Sequence, residues 1–397
     1  MTEEDPGRGE SEPAAAEAGG AAAAASTAAA ASTATSGGSA SGREAAVLER
    51  IEAFRRRRPR FRDDIVTMAH GAGGKASAAL IDAVFLDAFR GLERPPLTDA
   101  ALIALPHGET LAFTTDSFVV KPLRFPGGSI GHLAVHGTVN DLAVMGARPR
   151  WLSAAFVLEE GFAVNELRKV VADMSEAAAA ADVTIVTGDT KVVERGSADG
   201  LYVTTAGIGV IPAGRRLGAD LVERGDRILI SGTIADHGMA VMLARGDLAL
   251  EADLRSDTAP VTELVDALFS AAPSTRWLRD PTRGGVGTVC NELAHDAGLA
   301  IVLDESALPI NPAVAGACDL LGIDPLYVAN EGKLLAVVAA AEADAALEAF
   351  RGHPLGVDAA LIGDVRAEPQ GIVVLRTSFG GTRIVDMLVG DPLPRIC

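Results

Sequence analysis

The sequence predicts an α/β (α+β) fold of two consecutive domains followed by a flexible C-terminal tail. Three observations carry that reading. Apolar runs of strand length alternate with longer segments of helical period, as in "LAFTTDSFVV", "VNELRKVVADMSEAAAAA" and "DVTIVTGDTKVV". The chain has 397 residues, more than one hydrophobic core ordinarily serves. It is 48% apolar and holds 43 glycines, which suits a large core crossed by many turns. Only 4% is aromatic, so Val, Ile, Leu and Ala must do most of the packing.

Residues 1–42 are a low-complexity stretch of Ala, Gly, Ser and Thr with no apolar face to bury, and they read as disordered or transiently helical. Val47, Leu48, Ile51 and Phe54 space a short amphipathic helix within 43–60, which ends in the basic linker "RRRRPR". The first domain spans about 62–212. It contains a strand at 111–120, a helix within 128–150 packed through small residues, and a strand at 150–159. A long helix at 164–181, a strand at 182–193 running into a Gly-Asp loop and a strand at 201–211 complete it. The second domain spans 213–385 and opens with strand, polar turn and helix at 225–243. A helix follows "RDPTRGGVG", then strands "LAIVLDE" and "KLLAVVAA", helix "AALEAFRG", and strands "GIVVLR" and "TRIVDML". Residues 386–397 hold Gly390, Pro392 and Pro394 without an evident partner strand, so they read as a mobile arm ending in Cys397.

The formal net charge of −18 argues against a nucleic-acid partner, because phosphate binding needs clustered Lys and Arg. No apolar run reaches membrane-spanning length. The acidic N-terminus (Glu3, Glu4, Asp5) lacks the basic start and apolar stretch of a secretory signal. Cys290, Cys318 and Cys397 make neither a disulfide framework nor a zinc spacing, and a reducing cytoplasm suits them.

Chemistry concentrates in a few short stretches. "HGAGGK" (70–75) fails the P-loop pattern at Ala69 and Ala76, yet Gly71, Gly73, Gly74 and Lys75 form a Gly-rich loop able to lie over phosphates. "TTDS" puts Asp116 at a strand end, "ND" puts Asn140 and Asp141 in an apolar helix, and "GDTK" puts Gly188, Asp189, Thr190 and Lys191 after a strand. "RDPTRGG" carries Asp280, Thr282 and Arg283. Taken singly, each is also what a cap or a turn looks like. Together they repeat acidic residues beside glycines, and Asp116, Asp141, Asp189 and Asp280 are a candidate ligand set for Mg²⁺ with nucleotide phosphates. "NEGKL" places Glu331 and Lys333 before a buried strand, and "DHGMA" offers His237 as either structural or catalytic. His132, His136 and His295 show no metal spacing.

These stretches occur in an order, closed by terminal "PLPRIC", that resembles the HypE family of hydrogenase-maturation carbamoyl dehydratases. That family lies in the aminoimidazole-ribonucleotide-synthetase-like ATP-binding superfamily. The resemblance runs from about 65 to 397; it leaves the first 60 residues unexplained, and "HGAGG" departs from the family's common Gly-Ser-Gly-Gly. It implies the two-domain superfamily fold, a homodimer joined through the first domain's sheet, and ATP and Mg²⁺ as cofactors. It implies that Cys397 carries a carbamoyl group loaded by a HypF-like carbamoyltransferase. ATP-driven dehydration would turn that group into a thiocyanate, whose cyanide passes to a HypC–HypD-like iron scaffold for a nickel–iron hydrogenase. Gly71, Gly73, Gly74, Lys75, Asp116, Asn140, Gly188, Asp189, Thr190, Thr282 and Arg283 would then contact the nucleotide. Lys191 would stabilise the transferring phosphoryl group and Glu331 would act as general base. Rivals are another superfamily reaction, such as selenophosphate synthesis, or a nucleotide-binding scaffold with a lipidated tail. The first lacks its N-terminal reactive Cys here, and the second lacks the residues that prenylation needs after the Cys.

Overall fold

The structure, a computed structural model, describes residues 63–90, 97–246, 253–388, 390, 393 and 395–397. The expected disordered extension, its short amphipathic helix and the basic linker lie outside the described residues.

Helix α1 (Lys75–Leu80) follows the Gly-rich loop and runs through a π-helical stretch, Ile81–Leu86, into α2 (Asp87–Arg90). Strands β1 (Ala101–Ala104) and β2 (Thr110–Phe118) form a hairpin, and a two-residue pair, β3 (Arg124–Phe125) and β4 (Gly128–Ser129), leads into α3 (Ile130–Val144). Ser129 caps α3, its hydroxyl accepting from the Gly131 N–H at 3.2 Å. All of α3 except His132 and Asp141 is buried, which explains why its sequence shows no polar face. Strand β5 (Arg148–Glu159), helix α4 (Val164–Ala180), β6 (Thr184–Val193) and β7 (Leu201–Ile211) complete the first half. Its sheet has the order β1-β2-β7-β5-β6, with β5 and β6 alone running parallel. Helix α3 packs on β2 and β7, and α4 packs on α3.

The second half follows with β8 (Arg227–Ile230), α5 (Asp236–Ala244), α6 (Thr262–Ala271), β9 (Trp277–Arg279), α7 (Gly285–Ala297) and β10 (Ala300–Asp304). Then come α8 (Pro312–Leu321), β11 (Leu335–Val338), α9 (Ala343–Arg351), β12 (Ala360–Arg366), β13 (Val373–Arg376) and β14 (Thr382–Val385). The sheet order is β14-β13-β10-β12-β8-β11-β9, and β10 with β13 is its parallel pair. Alternating strands and helices therefore produce two largely antiparallel sheets.

Helix α3 is shared between the halves. Its Ile130, Leu133 and Val139 pack in one core with Phe118, Met239 and Ile396, while Ala143 and Val144 pack with Leu264 and Leu268 of α6. The site lies along this boundary. Within the C-terminal arm, Leu393 and Ile396 are buried in the core. Burial of those two apolar side chains removes surface from water and favours the arm's described residues lying against the core.

Candidate functional site

Strand β2 and helix α3 aim polar groups at each other across a dry boundary. Alternation along β2 turns Thr114, Asp116 and Phe118 to the same face, with Thr114 and Phe118 buried. The Thr114 hydroxyl stands 2.8 Å from Asp141 Oδ2 of α3 and 2.7 Å from the carbonyl oxygen of Asp99. Asp280, just after β9, completes an acidic cluster. One carboxylate oxygen each from Asp99, Asp141 and Asp280 lies within 4.8 Å of the other two.

Burial raises the pKa of every member. Asp99 is pushed up to about 6, the Arg279 guanidinium opposing its desolvation. Asp141 and Asp280 are held well above the usual carboxylate range by burial and then by their acidic neighbours. Asp116 rises by burial against the pull of Arg283. Glu331, almost fully buried, stands well above its ordinary value, again by burial first and then through Asp280 and Asp116. Three crowded carboxylates, one of them offering a buried Asp99 Oδ2 with no hydrogen-bond partner among the described residues, are a donor set that fits a hard divalent cation. Arg279 braces the cluster from behind, with Nε 3.2 Å from Asp99 and Nη2 2.7 Å from Glu292.

Arg283 sits on the open side. Its pKa is raised first by the negative charge at Cys397, then by Asp116, Glu331 and Asp141. Its Nη1 donates to the Gly71 carbonyl at 3.2 Å. The Gly-rich loop is thereby held against Arg283 on one side and the base of the tail on the other. The Lys75 N–H donates to Leu388 O at 3.0 Å, and Lys75 Nζ pairs with Asp386 at 2.6 Å. A Cβ on Gly74 would stand 2.4 Å from Leu388 O, so this contact requires glycine. Thr282 closes the turn into α7, its N–H donating to Asp280 O at 3.0 Å. Cys397, half-buried, lines a cavity of about 280 Å³ together with Gly71, Val119, Arg283 and Ile396.

Two sequence expectations meet a different geometry. Asn140 is a brace: its Nδ2 donates to Ala259 O and Glu331 O, both at 3.0 Å, and its Oδ1 accepts from the Val261 N–H at 2.9 Å. Those bonds leave the amide tied to backbone rather than facing a nucleotide. Gly188, Asp189, Thr190 and Lys191 are part of strand β6, not a loop after it, and do not join the cluster within one chain. β6 is the third strand over from β2, a separation of about 14 Å at ordinary strand spacing. Asp189 instead pairs with Lys191 at 2.7 Å in the open. Gly188 answers to packing, since a Cβ there would come within 2.1 Å of Ala154 O.

The sequence reading missed Asp99, which lies in "LTDAAL" beside no glycine and no repeated pattern. It left His237 undecided. The imidazole is fully buried, with Nδ1 2.8 Å from Ser256 Oγ and Nε2 2.7 Å from the Ile396 carbonyl.

Residues 97–211 match the AIR synthase related protein N-terminal domain, and residues 223–376 match the AIR synthase related protein C-terminal domain. The carbamoyl dehydratase HypE of Rhodobacter capsulatus is 56% identical over 340 residues, covering 85% of this chain and 99% of that protein. The chain belongs to the HypE family. It is accordingly an enzyme of the carbamoyl dehydratase class. Among solved structures, the HypE of a HypE–HypF complex superposes with a TM-score of 0.74 at 47% identity, covering 78% of this chain and 100% of that one. A HypE solved in complex with ATP gives a TM-score of 0.70 at 44% identity, covering 84% and 100%. No described helix is long and apolar enough to cross a membrane.

Proposed function

We propose that this HypE-family chain uses ATP to dehydrate a carbamoyl group carried on its own Cys397 thiol, leaving a thiocyanate as the cyanide source for nickel–iron hydrogenase assembly. The observation that carries this reading is that the last residue is turned inward, into the cavity beside Arg283 and the Gly-rich loop.

The chemistry is constrained by a poor leaving group. In S–CO–NH₂ the oxygen must leave with both its electrons, and transfer of the ATP γ-phosphoryl to that oxygen makes phosphate the leaving group. The nitrogen gives up one proton as the O-phosphoryl imidate forms and ADP departs. It gives up the second as phosphate leaves, and S–C≡N remains; the net products are thiocyanate, ADP, phosphate and a proton. Glu331 is the group assigned to receive the nitrogen proton: its carboxyl is buried and pushed well above the usual range, which makes its carboxylate a stronger base than an exposed one. Arg283 balances the charge that develops at the thiocarbamate end of the cavity. Gly71, Gly73, Gly74 and Lys75 lie over the phosphates, with Thr282 at the rim. Asp99, Asp141 and Asp280, with Asp116 beside them, would hold Mg²⁺, which neutralises phosphate charge when bound.

Asp189 and Lys191 enter through a second copy. Among the described residues of one chain β6 is the edge strand beyond β5, exposed along Thr184–Val192, and Phe113, Trp151, Val186 and Val192 stand open to solvent. A long bare edge with exposed apolar side chains is normally covered. A homodimer formed on this sheet would cover it and bring Gly188, Asp189, Thr190 and Lys191 toward a shared nucleotide. A HypF-like carbamoyltransferase would load Cys397 and a HypC–HypD-like iron scaffold would receive the cyanide, in a cytoplasm that keeps the thiol reduced.

Intact-mass measurement tests the reading directly. Carbamoylated chain should lose the mass of one water only when ATP is present; a mass that stays unchanged with ATP, or falls without it, overturns the proposal.

A further inference from the structure

The last three residues are gripped at every backbone carbonyl. The Val119 N–H donates to Cys397 O and the Lys121 N–H to Arg395 O, each at 3.2 Å, so the segment is held against the residues that follow β2. Arg245, at the end of α5, donates from Nη2 to Arg395 O at 2.7 Å and from Nε to Lys121 O at 2.9 Å, tying both partners together. His237 Nε2 meets Ile396 O at 2.7 Å. Because a carbonyl can only accept, Nε2 carries the proton, and Nδ1 accepts from the Ser256 hydroxyl. The ring is fixed a second time by an edge-on contact with Phe125, 5.5 Å between centroids. The Arg395 side chain pairs with Asp199, which also faces Lys121 at 3.7 Å. Ile396 and Leu393 fill the apolar core beneath.

We propose that His237, Arg245 and Asp199 are positioning residues forming a built receptor for this chain's own Arg395-Ile396-Cys397 end, and that they set where the Cys397 thiol stands in the cavity. The receptor reads backbone carbonyls at two points and the Arg395 guanidinium at a third. It therefore accepts this terminus with any small group on the thiol, and it releases the tail when those bonds break. The inference rests on the proposed function only for its purpose; the receptor itself is read by thiol accessibility, which needs neither ATP nor carbamoylation.

The experiment uses the full chain and a maleimide, with sites identified by peptide mass. Cys290 and Cys318 are buried and report on the fold, while Cys397 reports on the tail. His237→Leu fills the same space without a donor, and Arg245→Met keeps the aliphatic stem without the guanidinium. Each should raise the rate of Cys397 alkylation by about tenfold, the equivalent of about 1.4 kcal/mol at 25 °C. His237→Gln, which restores a donor toward Ile396 O, should bring the rate back to within about threefold of the parent, a rescue that a merely space-filling role would not produce. Unchanged alkylation in both His237→Leu and Arg245→Met overturns the receptor. If His237→Leu also exposes Cys290 and Cys318, it has unfolded, and Arg245→Met decides alone in the same terms. Where alkylation responds as expected but the carbamoylated parent fails to lose water with ATP, the receptor stands and the proposed reaction falls.

Discussion

Asn140 separates two kinds of residue, one that holds a ligand and one that holds the site together. Replacement by alanine removes three hydrogen bonds at once, buried ones to Glu331 O and the Val261 N–H and a half-buried one to Ala259 O. The side chain is 1% exposed, so water does not easily take its place. Each buried group left without its partner costs about 1–3 kcal/mol, and some relaxation is to be expected, so the sum is about 3–5 kcal/mol. That is a large share of the ~5–15 kcal/mol that stabilises a typical folded chain. Urea unfolding followed by the fluorescence of Trp151 and Trp277 should show a lower midpoint with the slope unchanged. The folded fraction should keep an ATP affinity within about threefold of the parent, less than 1 kcal/mol. A variant as stable as the parent to within about 1 kcal/mol, but with ATP binding weakened tenfold or more, would show that Asn140 contacts the nucleotide and would refute the brace.

Three further outcomes follow from the same geometry. Glu331→Gln keeps the shape of the buried side chain and its backbone bond to Asn140, so ATP binding should persist while dehydration falls by at least about 10²-fold; full turnover refutes the base. Residues appended after Cys397 should abolish dehydration, because its terminal carbonyl is bonded to the Val119 N–H inside the cavity, whereas an N-terminal tag should be harmless; an active C-terminally tagged chain refutes the inward delivery. Asp99→Asn should behave oppositely on stability and on cation response. Its carboxyl rises from 3.8 to about 6 on folding, so the ionised form opposes folding: nothing is lost below pH 3.8, where both states are protonated, and the full effect of about 3 kcal/mol is present above about pH 6. In chelator the variant should therefore be the more stable at pH 8 and equal to the parent at pH 3, and it should lose the stabilisation that Mg²⁺ gives the parent; equal stability of both chains at pH 8 refutes it.

Much of the fold was legible because periodicity is a local property. The alternation in 111–120 and the apolar runs at 150–159 and 201–211 became β2, β5 and β7. Shorter or less patterned pieces were invisible: β1, β9 and α8 draw their order from neighbours rather than from their own sequence. Asp141 and Asp280 stood out because they sit in unusual surroundings, an apolar helix and a Gly-rich turn. Asp99 does not, and only the approach of its strand region to α3 and to the β9 end makes it part of a cluster.

Sequence alone therefore determined the alternation of strands and helices and the order of its acidic and Gly-rich stretches, with Cys397 carried on a Pro-rich arm. Tertiary structure decided which of the acidic residues share one dry space, that Asn140 is tied to backbone, that β6 stands apart, and that the tail packs inward. The physical reason is range. Element type follows from spacing over a few residues, whereas a raised carboxylate, an occupied amide or a docked carbonyl exists only once distant segments have excluded water from between them.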